Sequence, residues 1–188
     1  MRRRLCLVLI VAGLPACRGA GQSVAPDGRD FPHVASSIDR NAPTWDDLAA
    51  FTYSGTDAGT VKLTGGAWRG AAPAGRADVP EVILQRNLRV TGDITGNGSE
   101  EAVVLLESRR PPAASRLYLT VVGWIGGQLV NIATTPLSDQ VELRGGHVEP
   151  KRIILDGVRR GSTDAIQLTY ELNRSTLRLI SGDPSATR

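Results

Sequence analysis

The sequence predicts a mainly β protein of about ten short antiparallel strands, joined as a hairpin meander into a curved sheet, a sandwich or an open barrel. Three Gly-Gly pairs, at 65–66, 126–127 and 145–146, each separate two segments rich in apolar residues. Glycine supplies the positive φ angles of two-residue hairpin turns. In residues 166–171, Ile, Leu and Tyr alternate with Gln, Thr and Glu, as expected of a sheet with one solvated face. No long segment has the apolar period of an amphipathic helix.

Residues 1–16 have the form of an export signal. Three arginines precede the apolar run 5–14, and small residues precede Cys17, in the order expected of a signal peptide. The run is too short to span a bilayer of about 30 Å as a helix. Residues 14–17, Leu-Pro-Ala-Cys, resemble the bacterial lipobox, which implies cleavage before Cys17 and its lipidation. An ordinary cleaved signal with an incidental cysteine is the alternative. Because arginine rather than aspartate follows Cys17, the resemblance implies an anchor on the periplasmic face of the outer membrane.

Cleavage changes the charge of the chain. The sequence has 22 basic and 19 acidic side chains; removing Arg2, Arg3 and Arg4 with the signal leaves 19 of each. A formal net charge near zero gives no nucleic-acid footprint. Cys6 also leaves with the signal, so the mature domain has no thiol for a disulfide once Cys17 is lipidated. We therefore expect a membrane contact through the lipid and no nucleic-acid partner.

Residues 17–43 are rich in Gly, Ala, Ser, Pro and Asp without an apolar period. They are interpreted as a flexible tether with a root-mean-square span of about 30 Å. A single domain is predicted over 44–188. It begins with a short helix, in which the Thr44 hydroxyl caps the N-terminus and the acidic Asp46 and Asp47 favour its positive end.

The strands follow from alternating apolar segments. Hairpins are predicted across each Gly-Gly pair: 61–63 with 67–68, 117–125 with 129–135, and 141–143 with 147–148. Further strands are predicted at 82–84, 88–91, 101–106, 153–155, 165–172 and 176–180.

Residues 92–106, GDITGNGSEEAVVLL, join a polar loop to a buried strand. Aligned on an EF-hand-like loop, the oxygen ligands would be Asp93, Thr95, Asn97, Ser99 and Glu101. The twelfth position is a valine, which cannot supply the bidentate carboxylate, so we expect at most a weak Ca²⁺ site of about 10⁻⁴–10⁻³ M. The alternative is a tight turn in which Asp93 and Asn97 bond their own backbone as Asx turns.

Residues 60–170 resemble an uncharacterised family of bacterial lipoproteins that carry a GDLDGDG-like, FG-GAP- or EF-hand-like loop between strands. The similar segments are residues 61–66, which resemble the family's early hairpin, the 92–106 loop, and the stretch 118–139 with Asn131, Ala133 and Thr134. The resemblance implies a mainly β envelope domain and no particular activity. This chain has Thr95 and Asn97 where the family has acidic residues, which favours a turn that has lost the metal.

No nucleophile elbow, HExxH or phosphate-loop motif occurs in the sequence, and these are the local signatures of several large enzyme classes. His147 and Glu149 alternate on one predicted strand, either as an acid–base pair or as exposed strand residues. We therefore expect a lipid-anchored periplasmic envelope protein that acts as a non-catalytic binding or structural module, with an envelope protein or glycan as partner. The alternative is an envelope hydrolase acting on glycan or peptide through dispersed carboxylates.

Overall fold

The computed structural model describes residues 41–72, 74–75 and 79–182. Within them it has one short helix and eleven strands, all paired antiparallel, in three sheets. The prediction of a mainly β fold with one short N-terminal helix is confirmed. In chain order the elements are α1 (Trp45–Ala49), β1 (Thr52–Thr56), β2 (Gly59–Lys62), β3 (Ala67–Arg69), β4 (Glu81–Gly92), β5 (Glu101–Arg109), β6 (Arg116–Ile125), β7 (Gln128–Leu137), β8 (Val141–Glu149), β9 (Arg152–Arg159), β10 (Ala165–Asn173) and β11 (Thr176–Ser181).

The two larger sheets are meanders in which strands adjacent in sequence are adjacent in space. The five-stranded sheet has the order β3-β4-β5-β6-β7, the four-stranded sheet has the order β11-β10-β9-β8, and β1 pairs with β2 alone. The backbone N–H of Lys151 donates to the carbonyl of Ile94 at 2.7 Å, which ties the β8–β9 turn of one sheet to the loop after β4 of the other.

The five-stranded sheet is the middle of three layers. One face packs on the four-stranded sheet and the other on α1 with the β1–β2 hairpin, so β5 is covered on both sides. Along β5, Val103 and Leu105 face the four-stranded sheet, whereas Ala102, Val104 and Leu106 face the helix and hairpin. Burial on both faces explains the unbroken apolar run of this strand, which is typical of strands that have no wet side.

Helix α1 has the predicted cap. The Thr44 hydroxyl accepts a hydrogen bond from the Asp47 N–H at 3.2 Å, and the Asp47 carboxylate accepts one from the Thr44 N–H at 2.9 Å, which makes a reciprocal capping box. Leu48 is fully buried beneath the helix. Pro43, predicted as the last residue of the tether, is buried as well, and its carbonyl accepts two hydrogen bonds from Arg89 at 3.2 and 2.7 Å.

One of the three predicted Gly-Gly hairpins is confirmed. Gly126 and Gly127, with φ of +61° and +77°, join β6 to β7, as a two-residue hairpin requires. At 65–66 the turn is present, but the predicted hairpin is wrong. Only an isolated bridge closes it, because β2 pairs with β1 while β3 is the edge strand of the five-stranded sheet.

The predicted hairpin across 145–146 is wrong. Strand β8 runs through both glycines, with a register shift between Leu143 and Gly145, and pairs with β9. A Cβ on Gly146 would lie 2.3 Å from the Ile154 carbonyl oxygen, so the absence of a side chain there permits close approach of two strands. The reversal occurs later, at Lys151, which adopts a φ of +64°.

Two further strand predictions are corrected. Segments 82–84 and 88–91 form one strand, β4, whose register shifts between Gln85 and Arg89, as at a β-bulge. Strand β1 was not predicted, because its residues, Thr-Tyr-Ser-Gly-Thr, contain few of the apolar side chains that mark a strand.

Candidate functional site

The loop between β4 and β5 is held by hydrogen bonds between its own residues. The Asp93 carboxylate accepts hydrogen bonds from the backbone N–H groups of Gly96 at 2.7 Å, Asn97 at 3.0 Å and Gly98 at 3.0 Å. The Asn97 side-chain oxygen accepts one from the Ser99 N–H at 2.7 Å. These are the Asx-type bonds of the turn alternative, in which a short polar side chain satisfies the backbone next to it.

Glu101 closes the base of the same loop. Its side chain is 1% exposed, and one carboxylate oxygen accepts hydrogen bonds from the N–H groups of Ile94 at 2.7 Å and Thr95 at 3.1 Å. The other oxygen accepts the Thr95 hydroxyl at 2.8 Å. The neighbouring Glu100 lies just before β5 and is exposed. The buried carboxylate is tolerated because these hydrogen-bond donors of the loop replace the water molecules that would solvate it on the surface.

The structure therefore brings the five predicted ligands into one loop and gives each of them a partner inside it. The carboxylates of Asp93 and Glu101 and the amide of Asn97 accept hydrogen bonds from the loop, the Thr95 hydroxyl donates, and Ser99 donates through its backbone. In the described part of the chain, no group of three or more His, Cys, Asp or Glu side chains could hold a metal ion. The calcium interpretation stays a prediction. Cys17 lies outside the described residues.

The stretch that resembles the lipoprotein family holds the N-terminal hairpin in place. The Asn131 side chain accepts a hydrogen bond from the Ser54 N–H of β1 at 3.2 Å, and Ala133 is buried in the core. A Cβ on Gly55 would lie 2.9 Å from the Cβ of Thr134, so β1 passes close over β7. These residues act in packing.

His147 and Glu149 lie on β8, as the sequence predicts, and both are exposed. In the part of the chain that the structure describes, neither side chain has a hydrogen bond or an ion pair. An acid–base pair needs hydrogen-bond reach between groups and a site that shields them. This arrangement matches the exposed-strand alternative.

A cavity of about 260 Å³ opens between the two larger sheets. Its residues come from the middle of β4, the later half of β5, the start of β6, the end of β7, the start of β8 and the residue after β9. The cavity therefore lies away from the 93–100 loop. Its floor consists of apolar residues from both sheets. They are Leu105, Leu117, Leu137, Val141 and Leu143, all of which belong to or pack against the core between the sheets.

The rim of this cavity is polar. It consists of Gln85, Asn87, Glu107, Ser115, Asp139, Glu142 and Arg160. Three of these are carboxylates and one is a guanidinium, so the rim carries more negative than positive charge.

Glu107 is the best-connected residue of the rim. Arg109 holds its carboxylate through two hydrogen bonds, at 2.8 and 3.0 Å, and Gln85 donates a third at 2.7 Å. The hydrogen bond and charge of Arg109 lower the pKa of Glu107 below its ordinary value, so this carboxylate is ionised at neutral pH. The guanidinium of Arg109 largely compensates the charge of Glu107.

The sequence does not predict this cavity. Its floor residues look like ordinary inward-facing strand residues, and its rim residues are dispersed from 85 to 160. Only the pairing of β5 with β6 and the stacking of β8 over them bring these positions together. No local motif could have indicated the site.

Within the described residues, no helix has the length and apolarity needed to cross a membrane. No protein-family model matches the chain, and neither a curated protein nor a solved structure matches it. The resemblance to the lipoprotein family stays a prediction from the loop and the segments around it.

Proposed function

We propose that this chain is a lipid-anchored periplasmic envelope protein whose β domain is a non-catalytic binding module. The signal-like residues 1–16 and the lipobox-like position of Cys17 support the anchor. The cavity between the sheets supports binding. It would receive a small ligand, or a compact apolar group of a larger envelope protein or glycan conjugate.

The cavity carries the binding part of the proposal. Ligand sites in β proteins commonly lie in the mouths of barrels, and ligand pockets generally have an apolar lining with a few polar groups that fix orientation. Here the floor includes Leu105 and Val141, which are 3% and 1% exposed, and the rim supplies charged and amide groups. Apolar atoms placed on this floor would leave water, which favours binding by about 25 cal/mol per Å² of buried apolar surface.

The state of Glu107 does not suit the general acid of a glycosidase-type pair. A glycosidase-type pair needs one carboxyl whose pKa is raised, so that it can act as a general acid near neutral pH. The pKa of Glu107 is lowered by Arg109, which is the opposite requirement. Glu107 therefore serves better as a fixed hydrogen-bond acceptor than as a proton donor.

Binding is tested with the neutral apolar fluorophore N-phenyl-1-naphthylamine, whose emission rises in an apolar site. Ser115 is exposed and lines the cavity, whereas Ala114 is exposed and does not. Ser115→Trp should fill the mouth and weaken probe binding about tenfold or more, while the matched Ala114→Trp should bind as the wild type does. Absence of probe binding to the wild type, or equal binding by both variants, would refute the cavity as a binding site.

The anchor has a separate test. Radioactive palmitate should label the wild-type chain in cells and fail to label Cys17→Ser. Labelling that persists in the variant would refute lipidation at Cys17.

The hydrolase alternative predicts turnover. Peptidoglycan incubated with the purified chain should then release soluble fragments, and Glu142→Gln should reduce the release. The binding module predicts no release by either protein. Capture of partners on the tethered chain from native envelope would identify the ligand's source.

A further inference from the structure

We infer that the cavity between the sheets selects a ligand with a compact aliphatic body and a cationic, ammonium-type head. This inference rests on the proposed function, since it names the chemical class that the cavity would take. The ligand's body would lie on the leucine and valine floor, and its head would lie at the rim near Asp139 and Glu142.

The volume and the lining of the cavity indicate the size and the hydrocarbon character of the ligand's body. A volume of about 260 Å³ lies just below the usual range of about 300–1,000 Å³ for small-molecule sites, so the ligand or its inserted part is small. The floor side chains Leu105, Val141 and Leu143 are aliphatic and are 7% exposed or less. They offer no hydrogen bonds, which favours a hydrocarbon body.

The charges at the rim set the second part. Glu107 is compensated by Arg109 and Gln85. Asp139 accepts a hydrogen bond from the neutral amide of Gln140 at 3.1 Å. Among the described residues, Glu142 has no side-chain partner.

Within the part of the chain that the structure describes, Asp139 and Glu142 therefore lack a cationic side-chain partner, and the rim has one guanidinium, that of Arg160. The β7–β8 connection that carries Asp139 is held to the end of β9 by a hydrogen bond of 2.7 Å from the Arg160 N–H to the Gln140 carbonyl. Asp139 and Glu142 are exposed, and a net negative charge at the rim attracts a cation and disfavours an anion.

The test compares three probes that share one hydrocarbon chain and differ in head group: hexylamine, hexan-1-ol and hexanoate at pH 7. Each competes with N-phenyl-1-naphthylamine for the purified, detergent-free full chain. We expect the amine to compete about fivefold better than the alcohol, and the alcohol better than the carboxylate, as one partly screened charge interaction gives. Raising the salt concentration should reduce the advantage of the amine and leave the alcohol unchanged.

Glu142→Gln should bring the amine to the level of the alcohol. The matched control is Glu149→Gln, which removes the same charge from another exposed position of β8 outside the cavity and should keep the preference for the amine. Urea unfolding of both variants confirms that they fold. Both sites are exposed, so their free energies of unfolding should lie within about 0.5 kcal/mol of the wild type.

Each outcome has a distinct meaning. Competition by the alcohol with no advantage for the amine overturns the cationic preference and leaves the binding function standing. Tightest competition by hexanoate means that Arg160 controls the rim and also overturns the inference. Failure of the fluorophore to bind the wild type refutes the proposed function, and this inference falls with it.

Discussion

Replacing Glu101 tests whether the loop between β4 and β5 depends on a hydrogen-bond acceptor or on a charge. Glu101→Ala removes the acceptor of the Ile94 and Thr95 N–H groups and of the Thr95 hydroxyl. A buried hydrogen bond to a charged group contributes about 1.5–3 kcal/mol. The Ile94 N–H keeps a second acceptor, the Gly92 carbonyl at 3.0 Å, and loss of the buried charge removes a desolvation cost. We therefore expect a loss of about 3 kcal/mol in the free energy of unfolding.

Glu101→Gln should cost about 1 kcal/mol or less. The amide oxygen can accept the two N–H groups, and the amide nitrogen can donate to the Thr95 hydroxyl, which accepts as readily as it donates. The assay is urea unfolding of the purified chain. Glu100→Ala is the matched control, because the adjacent residue is exposed and should change the free energy of unfolding by no more than about 0.5 kcal/mol. An alanine variant as stable as the wild type would refute the acceptor role.

Glu101→Gln and a further variant, Asp93→Ala, test the calcium prediction. If the loop binds Ca²⁺, millimolar calcium should raise the melting temperature of the wild type, by the stabilisation that any ligand of the native state gives. Asp93→Ala and Glu101→Gln should lose that rise. An equal rise in Asp93→Ala, or none in the wild type, would count against calcium. In the urea unfolding experiment, a Glu101→Gln variant as unstable as Glu101→Ala would mean that the negative charge of Glu101 is needed.

Three further predictions concern packing and pH. A Cβ on Gly123 would lie 2.7 Å from the Glu101 Cγ, so Gly123→Ala should cost about 1–3 kcal/mol and less in a Glu101→Ala background; strict additivity in urea unfolding would contradict the contact. Burial raises the pKa of Tyr53 above its ordinary value and that of Tyr170 to about 12. The stability these phenols contribute is therefore present below pH 10 and falls as the pH rises above it; the Tyr-to-Phe double variant should flatten the loss seen in alkaline unfolding curves. Because the pKa of Glu107 is lowered from 4.5, its contribution is present above that pH, and the stability gap to Glu107→Gln should shrink in acid titration; a constant gap would contradict this.

The sequence predicts the parts of the fold that depend on neighbours along the chain. The cap at Thr44, the turn at 126–127 and the strand entered at Glu101 each have a local cause, and the structure has them where they were predicted. A hydroxyl at a helix start and paired glycines between apolar segments act within a few residues.

The wrong hairpin prediction at 145–146 occurs where a glycine is needed for contact with a strand that is distant in sequence. Gly145–Gly146 and Gly126–Gly127 look the same in sequence, yet only the second pair turns the chain. Position 146 needs a residue without a side chain because the Ile154 carbonyl passes close to it. That contact exists only after β8 pairs with β9. The turn at Lys151 was missed for the converse reason, since a lysine rarely adopts a positive φ.

The candidate sites divide in the same way. The 93–101 loop is contiguous, so its self-bonded geometry could be proposed from its residues as the turn alternative. The cavity joins Leu105 of one sheet to Leu143 of the other, and no sequence spacing encodes that meeting. The site can be recognised only once the packing of the two sheets against each other is known.

The double cover of β5 has a consequence for dynamics. Amide protons exchange slowly where the backbone bonds open only with the whole molecule, and β5 has a hydrogen-bonded strand on each side and a packed layer on each face. Its amides should therefore be the last to exchange in deuterated water. Leu105 lies both in this strand and on the cavity floor, so an occupant of the cavity would be reported by the most slowly exchanging part of the protein.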